Sequence, residues 1–238
     1  MKMSIFKNLR EIEYCRKPRD FWTNFYHKIS VRFVSLIQNT KITPNQLTFA
    51  SFFFIIGAAG FIASDEYKFR IFGVILIQIG YIFDCADGQL ARYKKIFSPF
   101  GPWLDSFTDR IKEFALVLAL TVNFSRTDDN AFFFGFYTLF LIFLYHGQEI
   151  TKLPFTSDKE KLKAKDLEKG LIKKLNLLRK KLQIEPFYVG EQYFIISLFV
   201  ILDRIDLLFY VLVAYGSLTL IIVYPLYKYY HFRISRLR

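Results

Sequence analysis

The chain has 238 residues, of which 53% are apolar and 19% aromatic, with 29 Phe and a formal net charge of +12. Soluble domains run at about 45–50% apolar with fewer aromatics, so an ordinary water-soluble domain is a poor fit. Charged residues still make up 23%, so apolar and charged residues must be segregated along the chain. The positive charge fits either nucleic acid or anionic lipid headgroups. Here the basic residues flank long apolar runs and no nucleic-acid motif is present, which sets nucleic acid aside. Two cysteines, Cys15 and Cys85, give neither a disulfide framework nor a zinc spacing and read as free thiols.

Residues 1–45 form a charged N-terminal segment without the continuous apolar core and cleavage site of a secretory signal. Asp20 is a plausible N-cap for an amphipathic helix with Trp22, Phe25, Tyr26, Ile29, Phe33 and Leu36 on one face and Lys28 and Arg32 toward its rim. Such a helix either lies in the membrane interface or packs on the cytoplasmic face of its own bundle. Six apolar segments follow, at 46–64, 69–93, 98–124, 131–151, 188–204 and 206–228. About 20 apolar residues span a bilayer, and the runs are too long and too little alternated for barrel strands. The fold class is therefore all-α and integral to the membrane, with six transmembrane helices in a domain over 46–228. The fifth span is short, because Asp203, Arg204 and Asp206 interrupt it.

Charge sets the orientation. Residues 1–45 carry nine Lys/Arg against three Asp/Glu, the connection 152–187 carries eleven against five, and the tail within 229–238 has three Arg. The opposite connections at 65–68, 125–130 and 203–206 are short and mixed. The positive-inside bias puts both termini in the cytoplasm, in a multi-pass protein of the cell membrane. Within 152–187, Leu167, Leu171, Leu175, Leu178 and Leu182 keep helical spacing among Lys and Arg.

Four acids interrupt the second and third spans. Asp84, Asp87, Gly88 and Ala91 fall at i, i+3, i+4 and i+7, and Gly101, Asp105 and Asp109 at i, i+4 and i+8. The connection between these spans centres near Ile96. Asp87 and Asp105 lie nine residues to either side of it, and Asp84 and Asp109 lie twelve and thirteen. An antiparallel hairpin would bring all four to matching depths, roughly 13–20 Å from the turn at about 1.5 Å per residue. A charge at such depth costs at least a few kcal/mol, so the acids need a function or partners. No basic residue is expected at their level, and hard oxygen ligands of this kind suit Mg²⁺ or Mn²⁺. A pair of such ions is a standard device of phosphoryl transfer. Gly88 and Gly101 leave room for a ligand or allow close helix packing, and Arg92 can bind a diphosphate or snorkel to the interface. Gln78 and Asn123 have plain hydrogen-bonding explanations.

The pattern Asp84-x₂-Asp87-Gly88-x₂-Ala91-Arg92-x₈-Gly101-x₃-Asp105-x₃-Asp109 resembles the complete signature of the CDP-alcohol phosphatidyltransferase family. The resemblance implies that Asp84, Asp87, Asp105 and Asp109 hold two divalent cations, Mg²⁺ or Mn²⁺, with Asp109 also the general base. It implies that Gly88, Ala91, Arg92 and Ser98 contact the CDP moiety, and that Asn45 and Thr48, in a stretch starting at Pro44, close over the cytidine. Pro44 and Asn45 also read simply as a helix start. The implied partners are a CDP-alcohol donor, first of all CDP-diacylglycerol, an acceptor alcohol, membrane lipids and a second copy in a homodimer. CDP-inositol or another polar CDP-alcohol is the alternative donor. Acceptor choice would fall to polar residues of later spans: His146, Glu149, Lys152, Lys228 and Arg233. An intramembrane prenyltransferase, a divalent-cation transporter and a scaffold with structural acids are the competing readings.

Overall fold

A computed structural model describes residues 21–150, 189–223 and 225. It is all-helical there: α1 (Phe21–Ile37), α2 (Pro44–Ile62), α3 (Tyr67–Lys94), α4 (Phe100–Phe124), α5 (Ala131–Ile150), α6 (Val189–Ile201) and α7 (Ile205–Gly216), the last continued by a π-helical turn, Ser217–Val223. Helices α2 to α7 overlap the six apolar segments in turn; of the last segment, 224 and 226–228 lie outside the described residues. By length and composition, α2 and α3 are long and apolar enough to cross a membrane. The helix α4 has the length but carries Asp105, Asp109, Arg110, Lys112 and Glu113 within nine positions. The charges that make it interesting also dilute its hydropathy. The 152–187 connection with its leucine stripe, the C-terminal tail and Cys15 lie outside the described residues.

The helix boundaries follow local chemistry. Thr43 caps α2 in a capping box: its hydroxyl accepts from Gln46 N, the Gln46 side chain accepts from Thr43 N at 3.0 Å, and Pro44 occupies the first turn. The helices α3 and α6 both end on a non-glycine residue in the left-handed region, Lys95 (φ 55°) and Asp203 (φ 54°). In each case the next N–H turns back to the helix, Ile96 N to Ala91 O and Arg204 N to Phe199 O, both at 2.9 Å. The second of these stops accounts for the shortness of the fifth apolar segment.

The three short mixed connections gather at one end of the bundle. Arg126 pairs with Asp65 at 2.6 Å and donates to Ala63 O, while Arg70 pairs with Asp203 and donates to Asp65 O. Asn123 donates to Ser64 O at 2.8 Å. At the opposite end, Lys94 donates to Thr40 O and Ile42 O, both at 2.8 Å, tying the start of α2 to the end of α3. Gln78 links three helices: Tyr26 of α1 donates to its oxygen, and its amide donates to Ser197 of α6. Gln78 and Asn123 thus have the structural roles that their positions imply.

The helix α1 packs against α3 and α6, with a rotated apolar face. Tyr26, His27, Ser30, Val31 and Val34 are buried, whereas Phe21, Phe25 and Leu36 are exposed. Of the expected stripe, Trp22 stacks on Phe194, Phe33 meets Phe83, and Tyr26 joins the core. One helix therefore seals the bundle and still presents aromatic side chains, with Lys28 and Arg32, on its outer side.

Close packing of α2 on α3 is set by small residues of α3 other than Gly88. A Cβ at Gly73 would lie 2.9 Å from the backbone oxygen of Ala58, whereas nothing lies within 4 Å of one at Gly60. Gly73→Ala is therefore expected to cost about 1–3 kcal/mol through overpacking. Gly60→Ala should be neutral or gain up to about 1 kcal/mol from helix propensity. Thermal unfolding of the two variants in detergent would compare them; equal midpoints would refute this packing account.

Candidate active site

The hairpin of α3 and α4 brings the acids together. Asp84, Asp105 and Asp109 each offer a carboxylate oxygen, and these oxygens lie within 4.8 Å of one another. Asp87 stands slightly apart from this trio. It is 7% exposed and within electrostatic range of Asp84 and Asp105. Asp84 and Asp109 are partly accessible, with side chains 15% and 17% exposed. Register explains this meeting: the two helices leave the turn near Ile96 in opposite directions, and helical spacing returns all four acids to the facing side.

The surroundings differ from the expectation in one respect. A basic residue does lie at the level of the acids: Lys112, 0% exposed, whose Nζ is 2.5 Å from Asp84 Oδ1 and 2.6 Å from Asp109 Oδ1. Counted from the turn, Lys112 is deeper than Asp109. Helical side chains lean toward the N-terminus, however, so its long chain reaches back to the acids. A neighbouring cluster lies one turn further along α4, where Arg110 pairs with Glu113 at 2.8 Å and His146 Nε2 of α5 reaches Glu113 at 3.3 Å. Asp105, Asp109 and Lys112 fall at i, i+4 and i+7 on α4, a hint in the spacing that only the packing of α3 turns into a contact with Asp84.

The helix α2 supplies two hydroxyls with the same spacing as the acids they meet. Thr48 Oγ1 donates to Asp87 Oδ2 at 2.6 Å, and Ser51 Oγ donates to Asp84 Oδ1 at 3.2 Å. Thr48 is only 4% exposed. In the structure its hydroxyl is committed to Asp87. Ser51 was not singled out by sequence reasoning.

The remaining signature residues line the same end of the hairpin. The Arg92 guanidinium folds back over Gly88, with Nη1 3.1 Å from where a Cβ would stand. Ser98 Oγ accepts from Gly101 N at 3.2 Å and so organises the first turn of α4. A Cβ at Gly101 would meet Ser98 Oγ at 3.6 Å and Asn45 Oδ1 at 3.7 Å, which places Asn45 beside the same turn. Neither Gly88 nor Gly101 is squeezed by a facing helix. At Gly88 the missing side chain is what lets Arg92 fold back so closely, and at Gly101 a Cβ would meet only Ser98 and Asn45. Ala91 is half-buried on the Gly88 face. The side chains of Glu149, Lys152, Lys228 and Arg233 lie outside the described residues.

The donor set suits a hard divalent cation: carboxylate oxygens from two helices, converging within reach of one ion, with their outer edges held by hydroxyls and an ammonium. A helical hairpin presenting such a cluster could hold a metal ion. Residues 41–223 match the CDP-alcohol phosphatidyltransferase family, and the chain belongs to that family. With two helices long and apolar enough to cross a membrane, this marks a membrane protein and sets aside the prenyltransferase, transporter and scaffold readings.

Relatives narrow the neighbourhood. The chain is 29% identical over 200 residues to the bifunctional IPC transferase and DIPP synthase of Archaeoglobus fulgidus, covering 82% of this chain and 36% of that protein. It is 38% identical over 106 residues to the protein of the same name from Aquifex aeolicus, covering 44% and 24%. The archaetidylinositol phosphate synthase of Pyrococcus horikoshii is 34% identical over 84 residues, covering 34% and 42%. The chain spans well under half the length of these relatives.

Thr48→Ala removes the hydroxyl donor to Asp87, and loss of such an outer partner costs about 10–100-fold in metal affinity. Mn²⁺ titration of the purified protein should show that weakening in Thr48→Ala and near-normal binding in Thr48→Ser. Equal affinities for all three proteins would remove Thr48 from the site.

Proposed function

We propose that the protein transfers a phospho-alcohol from a CDP-activated donor to the hydroxyl of an acceptor alcohol, releasing CMP, in phospholipid biosynthesis. The observation that carries this reading is the convergence of Asp84, Asp105 and Asp109 on one point of the hairpin, with Asp87 alongside. In this reading helices α2 to α7 are six membrane spans with both termini in the cytoplasm. The site opens on the cytoplasmic side, where Lys94 and Arg92 lie. The protein works as a homodimer, as the family resemblance implies.

Asp84, Asp87, Asp105 and Asp109 would hold two divalent cations, Mg²⁺ or Mn²⁺. Bound there, such ions neutralise a diphosphate and stabilise charge that builds on the leaving group. Arg92, held over Gly88, is positioned to add a fixed positive charge on the donor's diphosphate. Ala91 and Ser98 border the same space, and Asn45 stands where the cytidine would be enclosed. Asp109 accepts the proton of the acceptor hydroxyl. The acceptor oxygen then bonds to the donor's β-phosphorus as the bond from that phosphorus to the CMP oxygen breaks. Most of the rate comes from positioning and from preformed charge.

The donor is CDP-diacylglycerol or a related lipid on this reading, and the acceptor is an inositol phosphate. The name of the Pyrococcus relative, an archaetidylinositol phosphate synthase, supports that pairing. The cluster of Arg110, Glu113 and His146 beside Asp109 supports it too. Arg110, with its side chain 41% exposed, is the member of this cluster best placed to meet an acceptor phosphate. A second reading, CDP-inositol as donor, accounts for the kinship with the bifunctional synthases, which covers most of this chain.

Purified protein with Mg²⁺ or Mn²⁺ should release CMP from a CDP-alcohol. Asp109→Asn should lower that rate by roughly 10²–10⁴-fold, the usual worth of a general base. Labelled CDP-diacylglycerol and CDP-inositol, offered separately with a panel of alcohols and analysed by mass spectrometry, would identify the substrates. No CMP from any donor would overturn the proposal.

A further inference from the structure

The buried ammonium of Lys112 has no part in the family signature, and its surroundings are unusual. It is 0% exposed, and it contacts one oxygen of an acid on each arm of the hairpin, Oδ1 of Asp84 at 2.5 Å and Oδ1 of Asp109 at 2.6 Å. Ser51 Oγ lies 3.4 Å from the same Nζ and donates to the same Asp84 oxygen. Lys112 thus joins α3 to α4 through two residues that the metal reading also needs. An ammonium sealed in an apolar bundle is stable only because of those carboxylates, and the carboxylates depend equally on it.

We propose that Lys112 is a built-in counter-cation that holds the two arms of the site together without metal and, by sharing Asp84 and Asp109 with the bound cations, keeps metal affinity moderate. This rests on the metal-site reading above. Two consequences follow from charge alone. Without metal, loss of the ammonium leaves Asp84 and Asp109 facing each other across the hairpin with no cation between them, which destabilises the fold. With metal, the divalent cations take over as partners of both acids, and repulsion between them and the ammonium is gone. The same substitution should therefore weaken the metal-free protein and tighten metal binding. A residue that only orients ligands would do the reverse, because its loss costs affinity. Lys112 is in these terms a positioning residue, acting through two acids and touching no substrate.

The test uses the full chain in detergent at one fixed pH, with Lys112→Met, which keeps the bulk and removes the charge, and Ser51→Ala, which removes a neutral donor from the same Asp84 oxygen. Thermal midpoints are measured in chelator and in excess Mn²⁺, and Mn²⁺ affinity by isothermal titration. Lys112→Met should lose stability in chelator, recover most of it in Mn²⁺, and bind Mn²⁺ about 10-fold more tightly or better, as expected for removing one like charge beside the site. Ser51→Ala should show no such tightening. A Lys112→Met protein folded only with Mn²⁺ is the same result in its extreme form. Unchanged or weaker Mn²⁺ binding, equal tightening in Ser51→Ala, or a Lys112→Met protein that is unfolded even with Mn²⁺ would each overturn the proposal. If the wild-type protein bound no Mn²⁺ and released no CMP, the proposed function would fail instead, and the two failures are thereby distinguishable.

Discussion

Carboxylates inside an apolar helical hairpin persist only where cations and hydrogen-bond donors stand at the same depth, and much of the arrangement around α3 and α4 answers that requirement. Asp84 and Asp109 share Lys112, Asp84 also takes Ser51, and Asp87 takes Thr48. The helix α2 must therefore lie directly against the hairpin at its acidic level, and its N-terminus must be fixed so that Thr48 and Ser51 arrive in register. The capping box at Thr43 and the hold of Lys94 on Thr40 O and Ile42 O provide that fixing. A slip of one residue in α2 would turn both hydroxyls away from the acids, because helical faces rotate by about 100° per residue. Packing and electrostatics are thus coupled: the glycine-assisted contact of α2 with α3 is what allows the acids to be buried.

The two ends of the bundle divide the labour. One end is stitched by Asp65, Arg126, Arg70 and Asp203, which tie the short connections to one another. The other end carries Arg92, Ser98, Gly101 and Asn45 and is fastened mainly through Lys94. Exposed ion pairs contribute little individually, but here Arg70 is largely buried and also donates to Asp65 O, so the stitching is more than surface decoration.

Much of this was legible in the sequence, for identifiable reasons. Helix positions followed from long apolar runs bounded by charge, and the convergence of Asp84, Asp105 and Asp109 followed from helical spacing mirrored about Ile96. What escaped depended on partners distant in sequence. Lys112 looks like one charge among five on α4 until Asp84, 28 residues earlier, is placed beside it. Thr48 lies near the helix start expected to close over a nucleotide, and only the packing of α2 shows that its hydroxyl is committed to Asp87. The face of α1 was misjudged because aromatic residues ring that helix, so apolar spacing alone could not tell which side meets α3. Tyr26, His27 and Ser30 are buried because polar partners wait for some of them, as Gln78 does for Tyr26.

The same comparison shows why a signature motif is a poor guide to its own supports. In the proposed function the motif positions are those that would touch ligand and metal, where the chemistry allows few substitutes. The residues behind them need only deliver a donor or a positive charge to a given oxygen, and a threonine, a serine or a lysine from any adjacent helix can do so. In this chain that burden falls on α2 and on the next turn of α4, where Thr48, Ser51 and Lys112 together engage three of the four acids. Asp105 is the exception, with only Thr108 of its own helix bonded to its backbone oxygen. Its carboxylate is the member of the trio with no hydrogen bond or ion pair to a hydroxyl or ammonium among the described residues, so its orientation rests on helix packing and, in the proposed function, on a bound cation. On that reading Asp105 is the acid of the trio whose placement depends most on the bound cation.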